Sequence, residues 1–398
     1  MPNNGQKSES LLIIGDLNYP TGSAPSNRVH LYCKALKETG VNTFIINVSS
    51  CHTTLPKFGY LGKYDGIPFY YCQKTPMYEN NVIHRNVKKI IGIINSFFVF
   101  YRLKKKKKVT VLFYSLSSYY EIIYYIFLKI FRTPIIKEYN EAPLFVIRNK
   151  RYQRVHFWLL KSLKLKMYNG IIVISDYLNN YFSAIYPKNK IFQIPILVDI
   201  NRFNQIPKTK NSEKIITYIG YMGVNKDGLN NLIEAISIVK REFQSFKVQL
   251  VGYGPQNDVE EIKQNITDLQ LNDVVLFLGA KPASEIPEIL LNSDLLVLAR
   301  PNSSQAKAGF PTKLGEYLAS KKPVVITRTG EIGKYLVDNE NAYVVEPDNN
   351  ESFAKKIIYA LHDPKASSIG LKGFLVADAN FNYKAYKKKL KVIFNLKA

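Results

Sequence analysis

From Leu11 onward, short apolar runs alternate with longer stretches whose apolar positions recur every three or four residues. Short apolar runs bounded by turn residues suit buried strands, whereas the three-to-four spacing suits helices. The pattern predicts strands at 11–15, 42–48, 109–114, 134–137, 170–174 and 191–194, with helices at 29–39, 85–103, 117–131 and 151–168 between them. The alternation then restarts. Strands are predicted at 214–219, 247–252, 274–278, 295–298, 323–327 and 342–345, with helices at 229–242 and 259–269. Strand–helix alternation builds a parallel sheet with helices on both faces. The fold expected is therefore α/β, with two doubly wound, Rossmann-like domains facing each other across a cleft. The polar stretch 201–212, which holds Pro207, is the predicted linker. Domain limits follow at 1–205 and 206–372, with a terminal helical segment, 373–398, whose last part is basic. Ligands in such folds lie beyond the carboxyl ends of strands, so the loops of interest follow Gly15, Ile219, Val251 and Leu298.

A length of 398 residues, 46% of them hydrophobic, is enough for each domain to bury its own core. Charge divides the halves more sharply than the pattern does. Residues 1–205 hold 29 Lys/Arg against 10 Asp/Glu, and residues 206–398 hold 26 against 21. A net +19 beside a net +5 points to an anionic partner of the first half: nucleic acid, an anionic membrane surface or a phosphorylated substrate. Cys33, Cys51 and Cys72 fit no zinc spacing and are read as free thiols in a reducing compartment. The apolar run 11–14 is too short for a signal peptide, and 90–101 is about half the roughly 20 residues that span a bilayer. A cytoplasmic chain is expected.

The segment 299–325, ARPNSSQAKAGFPTKLGEYLASKKPVV, is the most informative for chemistry. A strand ends, a polar loop follows, and Gly309-Phe310-Pro311-Thr312 opens a helix of about two turns. Pro311 suits a first helical position, and the N–H groups of a helix start favour an anion such as a diphosphate. Lys313 adds charge there, and Glu316 lies one turn further in, where a carboxylate suits ribose hydroxyls. An ordinary loop–helix junction with a solvated Glu316 reads equally well from spacing alone.

This segment resembles the donor-binding region of the retaining family 4 glycosyltransferases, also called glycosyltransferase group 1, of GT-B architecture. That family carries two glutamates with seven residues between them, before a helix and a small-residue turn leading to "PVV". Glu316 matches the second, ribose-binding glutamate, while Ala308 stands where the first contacts the sugar. The resemblance extends to 218–235, YIGYMGVNKDGLNNLIEA, after Gly220. There the family places an arginine and, some five residues on, a lysine that neutralise the departing diphosphate. Lys226 matches the lysine, and Tyr221 replaces the arginine. VGYGP, with Gly252 and Gly254, resembles the turn beside the nucleotide base; 197–203 and 329–336 match the inter-domain segment and a late loop. The first loop, GDLNYPTGSAPSNR, would bring Gly22 and Ser23 close to a phosphate or acceptor, with Arg28 supplying charge, and a plain turn is an equal reading of it. KEYNE resembles the acceptor-facing loop, with Glu138 and Glu141 as candidates; capping or solvation is an equal reading of both.

The resemblance implies transfer from a UDP- or GDP-linked sugar with retention at the anomeric carbon. No cofactor beyond the nucleotide-sugar is implied, and no dedicated base, because a donor phosphate oxygen takes the acceptor proton. Lys226 and Glu316 are the residues it makes catalytic. The sequence has no Asp-x-Asp, no P-loop and no Gly-x-Gly-x-x-Gly, and its five histidines show no metal-ligand spacing, so no metal is expected. A catalytically silent, degenerate relative that only binds is the alternative, motivated by Ala308 and Tyr221. Nucleic acid is disfavoured because the aromatics sit in apolar helical runs rather than on an exposed strand platform. The five lysines at 104–108, the basic and aromatic stretch 148–166 with Trp158, and the aromatic helix 117–131 suit an anionic membrane interface; apolar faces covering the sheet, with the lysines solvated, is the alternative reading. A glycan or lipid-linked acceptor on the inner face of the cell membrane is the expectation that follows.

Overall fold

The computed structural model describes residues 8–20, 23–50, 59–142, 158–204, 213–223 and 227–396. The first sheet holds β1 (Glu9–Gly15), β2 (Asn42–Asn47), β3 (Leu61–Tyr64), β4 (Ile67–Tyr71), β5 (Lys108–Tyr114), β6 (Ile135–Tyr139), β7 (Gly170–Val173) and β8 (Ile191–Gln193). Its order is β3-β4-β2-β1-β5-β6-β7-β8, parallel except for the edge strand β3. The second sheet holds β9 (Lys214–Tyr221), β10 (Phe246–Tyr253), β11 (Val275–Gly279), β12 (Leu295–Leu298), β13 (Val324–Thr327) and β14 (Tyr343–Val345). Its order is β11-β10-β9-β12-β13-β14, all parallel. Strands such as β12 and β13 are buried at every residue, as parallel strands covered on both faces must be. The doubly wound pair expected from the alternation is the fold found.

In each sheet the strand order reverses beside the first strand, between β1 and β5 and between β9 and β12. Reversal sends the following connections to opposite faces and leaves a crevice at the carboxyl ends. The two crevices hold Gly15 and Ser115 in one domain, and Gly220 and Ala299-Arg300 in the other.

Among the described residues the first domain has, in chain order, the α-helices α1 (Ala24–Lys37), α2 (Val82–Lys106), α3 (Ser118–Ile130) and α4 (Asp176–Ser183). α1 begins five residues before the predicted start, because Pro25 occupies its first turn and the Ser23 side chain accepts from the Ser26 N–H as N-cap. That start puts Arg28 on the helix rather than in the loop. β3 and β4 were not predicted. They form a hairpin about Asp65-Gly66, both with positive φ, the Asp-Gly pair favoured in two-residue hairpin turns. Of the predicted helix 151–168, the described part is helical at 158–159, then a π turn at Leu160–Lys164 and a 3-10 turn at Leu165–Met167.

The second domain adds α5 (Leu229–Glu242), α6 (Gln256–Asp268), α7 (Ile286–Leu291), α8 (Ser304–Ala308), α9 (Lys313–Ala319), α10 (Ile332–Tyr335), α11 (Asn350–His362) and α12 (Ala366–Asn380). α12 packs on α9. The chain then returns to the first domain, where Tyr383–Tyr386 and α13 (Lys387–Ile393) pack on α1. The outgoing and returning strands of the crossing meet: Val198 N–H donates to Phe381 O at 2.8 Å, and Tyr383 N–H donates to Val198 O. The return to the first domain thus begins after Asn380, later than the limit at 373, because α12 is committed to the second domain.

Candidate active site

A cavity of about 1130 Å³ lies between the domains, lined from both sheets' carboxyl ends. Its second-domain wall centres on a buried charge cluster. Lys313 Nζ lies 2.6 Å from Asp227 Oδ2 and donates to the Tyr218 hydroxyl at 2.9 Å. The same ammonium sits 4.3 Å from the centre of the Tyr218 ring. Gly220 makes room for it, since a Cβ there would meet Lys313 Nζ at 1.8 Å. Gly252, at φ +147, lets β10 pass Gly220, whose carbonyl a Cβ would strike at 1.7 Å.

Arg300 completes the cluster. It directly follows β12 and Ala299, is 3% exposed, and holds Nε 3.7 Å from Asp227 Oδ1. Among the described residues its Nε and Nη1 have no hydrogen-bond partner. Burial of Asp227 raises its carboxyl, but Lys313 and then Arg300 more than reverse this, leaving it below the usual carboxylate range. Burial lowers the Arg300 guanidinium, with Asp227 opposing; an arginine remains a cation throughout the physiological range. Two cations against one carboxylate leave net positive charge on the cavity wall, and a buried guanidinium with idle donors demands an acceptor.

Other donor-side expectations fall around this cluster. Glu316, on α9, lines the cavity and accepts from Arg202 Nη1 at 2.5 Å. Arg202 Nη2 donates to Ala283 O. Helix α9 starts at Lys313, with Thr312 as N-cap and Pro311 O accepting from Leu314 N–H. Pro311 therefore precedes the helix rather than occupying its first position. Gly309 N–H donates back to Gln305 O, closing α8, so it does not face a ligand. Phe310 stacks on Tyr335 with centroids 5.6 Å apart and meets Phe381 edge-on, tying the loop to the crossing. Tyr221 is half-exposed at the cavity and meets Tyr253 edge-on. Gly254 follows β10 against Met222. Ala308 is buried, and its carbonyl accepts from Ser175 Oγ of the first domain at 2.6 Å. Lys226 and Gly22 lie outside the described residues.

The first-domain wall corrects two expectations. Arg28 is not a loop cation available to phosphate. It is buried on α1, with Nε 2.5 Å from Glu138 Oε1 and its other nitrogens donating to Pro195 O and Ile194 O. Burial works against the Arg28 cation, and Glu138 more than compensates. Glu138 lies within β6, not in a loop, and also accepts from Tyr32. The pair fastens α1 to β6 beneath the cavity. Arg28 and Glu138 still border the cavity, as do Ser23 and Glu141, which lies past the strand end. Beside them Lys137 Nζ lies 2.5 Å from Glu121 Oε1, with Lys164 3.5 Å from its other oxygen. Among the described residues no cluster of His, Cys, Asp and Glu is arranged to hold a metal ion.

Sequence reasoning missed Arg300, Asp227, Tyr218 and Arg202. Arg300 did carry a signal: it is the first charged residue after an entirely apolar strand at the reversal point. Asp227 follows Lys226 and was passed over for it.

Residues 199–370 match the family Glycosyl transferases group 1; the match, under half of the chain, runs from the crossing segment through the second domain and ends within α12. A putative colanic acid biosynthesis glycosyltransferase, WcaL of Escherichia coli, is 26% identical over 172 residues, 43% of this chain and 42% of its own length. The amylovoran biosynthesis glycosyltransferase AmsK of Erwinia amylovora is 30% identical over 131 residues, 32% of this chain and 31% of its own. The chain spans less than half the length of these curated relatives. Whole-chain likeness is structural. The Anabaena HepE structure with UDP and glucose superposes with a TM-score of 0.71 at 17% identity, over 97% of this chain and 99% of that one. Sucrose-phosphate synthase from Thermosynechococcus elongatus gives 0.74 at 16% identity, over 98% of each. The architecture is GT-B.

Proposed function

We propose that the protein is a retaining, metal-independent glycosyltransferase of family 4 type. It moves a sugar from a UDP- or GDP-linked donor to a glycan or lipid-linked acceptor at the inner face of the cell membrane. The observation that carries this reading is Arg300, whose buried guanidinium has two nitrogens without a hydrogen-bond partner among the described residues, beside Lys313 on the cavity wall. A nucleoside diphosphate supplies the acceptor oxygens those donors lack. Its location at the β9/β12 reversal is where such folds take ligands.

In the reaction the bond from the anomeric carbon to the diphosphate oxygen breaks, and a bond to the acceptor hydroxyl oxygen forms on the same face. The acceptor proton passes to a phosphate oxygen. Negative charge grows on the departing diphosphate, and fixed cations that need no reorganisation stabilise it. Arg300 and Lys313 are placed for that task, with Lys226 assigned to it by resemblance. Glu316 takes the ribose hydroxyls. Tyr221 and Tyr253 offer aromatic surface to the base. Asn140 and Glu141 face the acceptor end of the cavity.

Ala308 and Tyr221 favour the second reading, binding without transfer, because a methyl and a phenol stand where the family has an acid and a cation. Incubation with a panel of UDP- and GDP-sugars, following nucleoside diphosphate release and the anomeric configuration of the product by NMR, separates the two. Release with a retained anomer supports transfer. Nucleotide binding with no release from any donor, with or without glycan acceptors, supports the silent relative.

A further inference from the structure

Helix α2 runs for 25 residues and presents two apolar faces, of which the fold uses one. Ile93, Ser96 and Phe100 are buried on the sheet. On the other side Ile83, Val87, Ile90, Ile94, Phe98 and Tyr101 recur at three- and four-residue spacing and are 43–72% exposed. Such spacing draws a single stripe along a helix. A helix at the edge of a water-soluble domain carries charge there.

The stripe continues sideways. Phe97 stacks on Phe127 of α3 at 3.8 Å, and Tyr101 meets Phe131 edge-on. α3 then presents Tyr119, Ile122, Ile126 and Ile130, again at three- and four-residue spacing and 48–73% exposed.

Charge selects the occupant. α2 carries no Asp or Glu but has Arg85, Lys88, Lys89, Arg102 and the lysines from 104 onward. The one acid of α3, Glu121, turns inward to Lys137. A second copy docking on this face would oppose cation to cation. Apolar residues bounded by cations match acyl chains beneath anionic headgroups. Among the described residues no helix is long and apolar enough to cross a membrane.

We infer that the α2–α3 face docks the protein on an anionic lipid surface, lying in the interface with the apolar stripe inserted. This deepens the transfer reading, and rests on it, in one respect. Ser117, Ser118 and Glu121 at the start of α3 line the cavity, so docking sets the acceptor end of the cleft beside the headgroups.

The full chain is sedimented with phosphatidylcholine vesicles and with vesicles containing phosphatidylglycerol. Binding to the anionic vesicles is expected, falling with salt. Ile94→Ser/Phe98→Ser and a Lys104→Gln/Lys105→Gln/Lys106→Gln variant are each expected to bind about tenfold or more weakly, since a surface cation alone contributes about 1 kcal/mol. All substituted positions are exposed or half-exposed, and unchanged thermal melts verify folding. No binding to anionic vesicles, or equal binding to both compositions, overturns the inference. So does a concentration-dependent dimer that the Ile94→Ser/Phe98→Ser variant abolishes. Neither vesicle result depends on a donor, so loss of transfer activity leaves the lipid measurement intact.

Discussion

Arg202 and Glu316 meet across the seam between the crossing segment and the second domain, with Nη1 2.5 Å from Oε1. The Arg202 fork also grips Ala283 O, so the carboxylate is held in place before any nucleotide arrives. Arg202 is a positioning residue for the ribose contact. Replacing it with alanine frees Glu316 to rotate and removes charge-assisted hydrogen bonds of about 1.5–3 kcal/mol each. The expected result is a donor KM raised about tenfold or more with kcat largely kept, the split that separates binding from chemistry. Arg202→Lys, which keeps charge but loses the fork, is expected to rescue only part.

Arg300→Gln keeps the size and some donors but removes the charge at the cavity wall. Loss of one such stabiliser costs roughly 100- to 1000-fold in rate. The same scale is expected for Lys226→Ala. Steady-state kcat/KM on the active donor, with a thermal melt as folding control, checks both. Wild-type turnover in Arg300→Gln would remove Arg300 from the reaction.

Asp227 links the site to acid stability. Its folded-state pKa lies below the usual value through Lys313 and Arg300. The stability it contributes is therefore complete above the unfolded value, near pH 4, and is lost as pH falls through the folded value. Asp227→Asn is expected to flatten that acid limb in a urea titration series while lowering stability at pH 7. An unchanged slope below pH 4 would show that the cluster is not coupled to folding.

Ser175 caps α4 by accepting from the Leu178 N–H and joins the domains by donating to the Ala308 carbonyl. Ser175→Ala should lower stability by about 1 kcal/mol for the lost cap and loosen domain closure. A larger radius of gyration by small-angle scattering, reversed by nucleotide, is the expected signature.

Much of the architecture was legible because parallel strands buried on both faces must read as apolar runs, as 295–298 and 214–219 do. The hairpin at 61–71 was not read, although Asp65-Gly66 marked it, because its first strand alternates weakly and is exposed. At the site, spacing located the loops but not the partners. Nothing local in the sequence shows that Arg28 spends its charge on Glu138, 110 residues away. For the same reason, Lys313 and Arg300 converge on Asp227 only because β9 and β12 are neighbours in the sheet. The apolar stripe of α2 carried a helical period, but period alone does not say which of two apolar faces meets the core.

The most direct test is calorimetric titration of the full chain with UDP and GDP, repeated on Arg300→Gln. Diphosphate held by the buried guanidinium predicts saturable binding of one nucleotide to the wild type and binding weakened at least tenfold in the variant, with the melt unchanged. Equal affinity in both proteins, or no binding of either nucleotide to folded wild type, would contradict a donor site at Arg300.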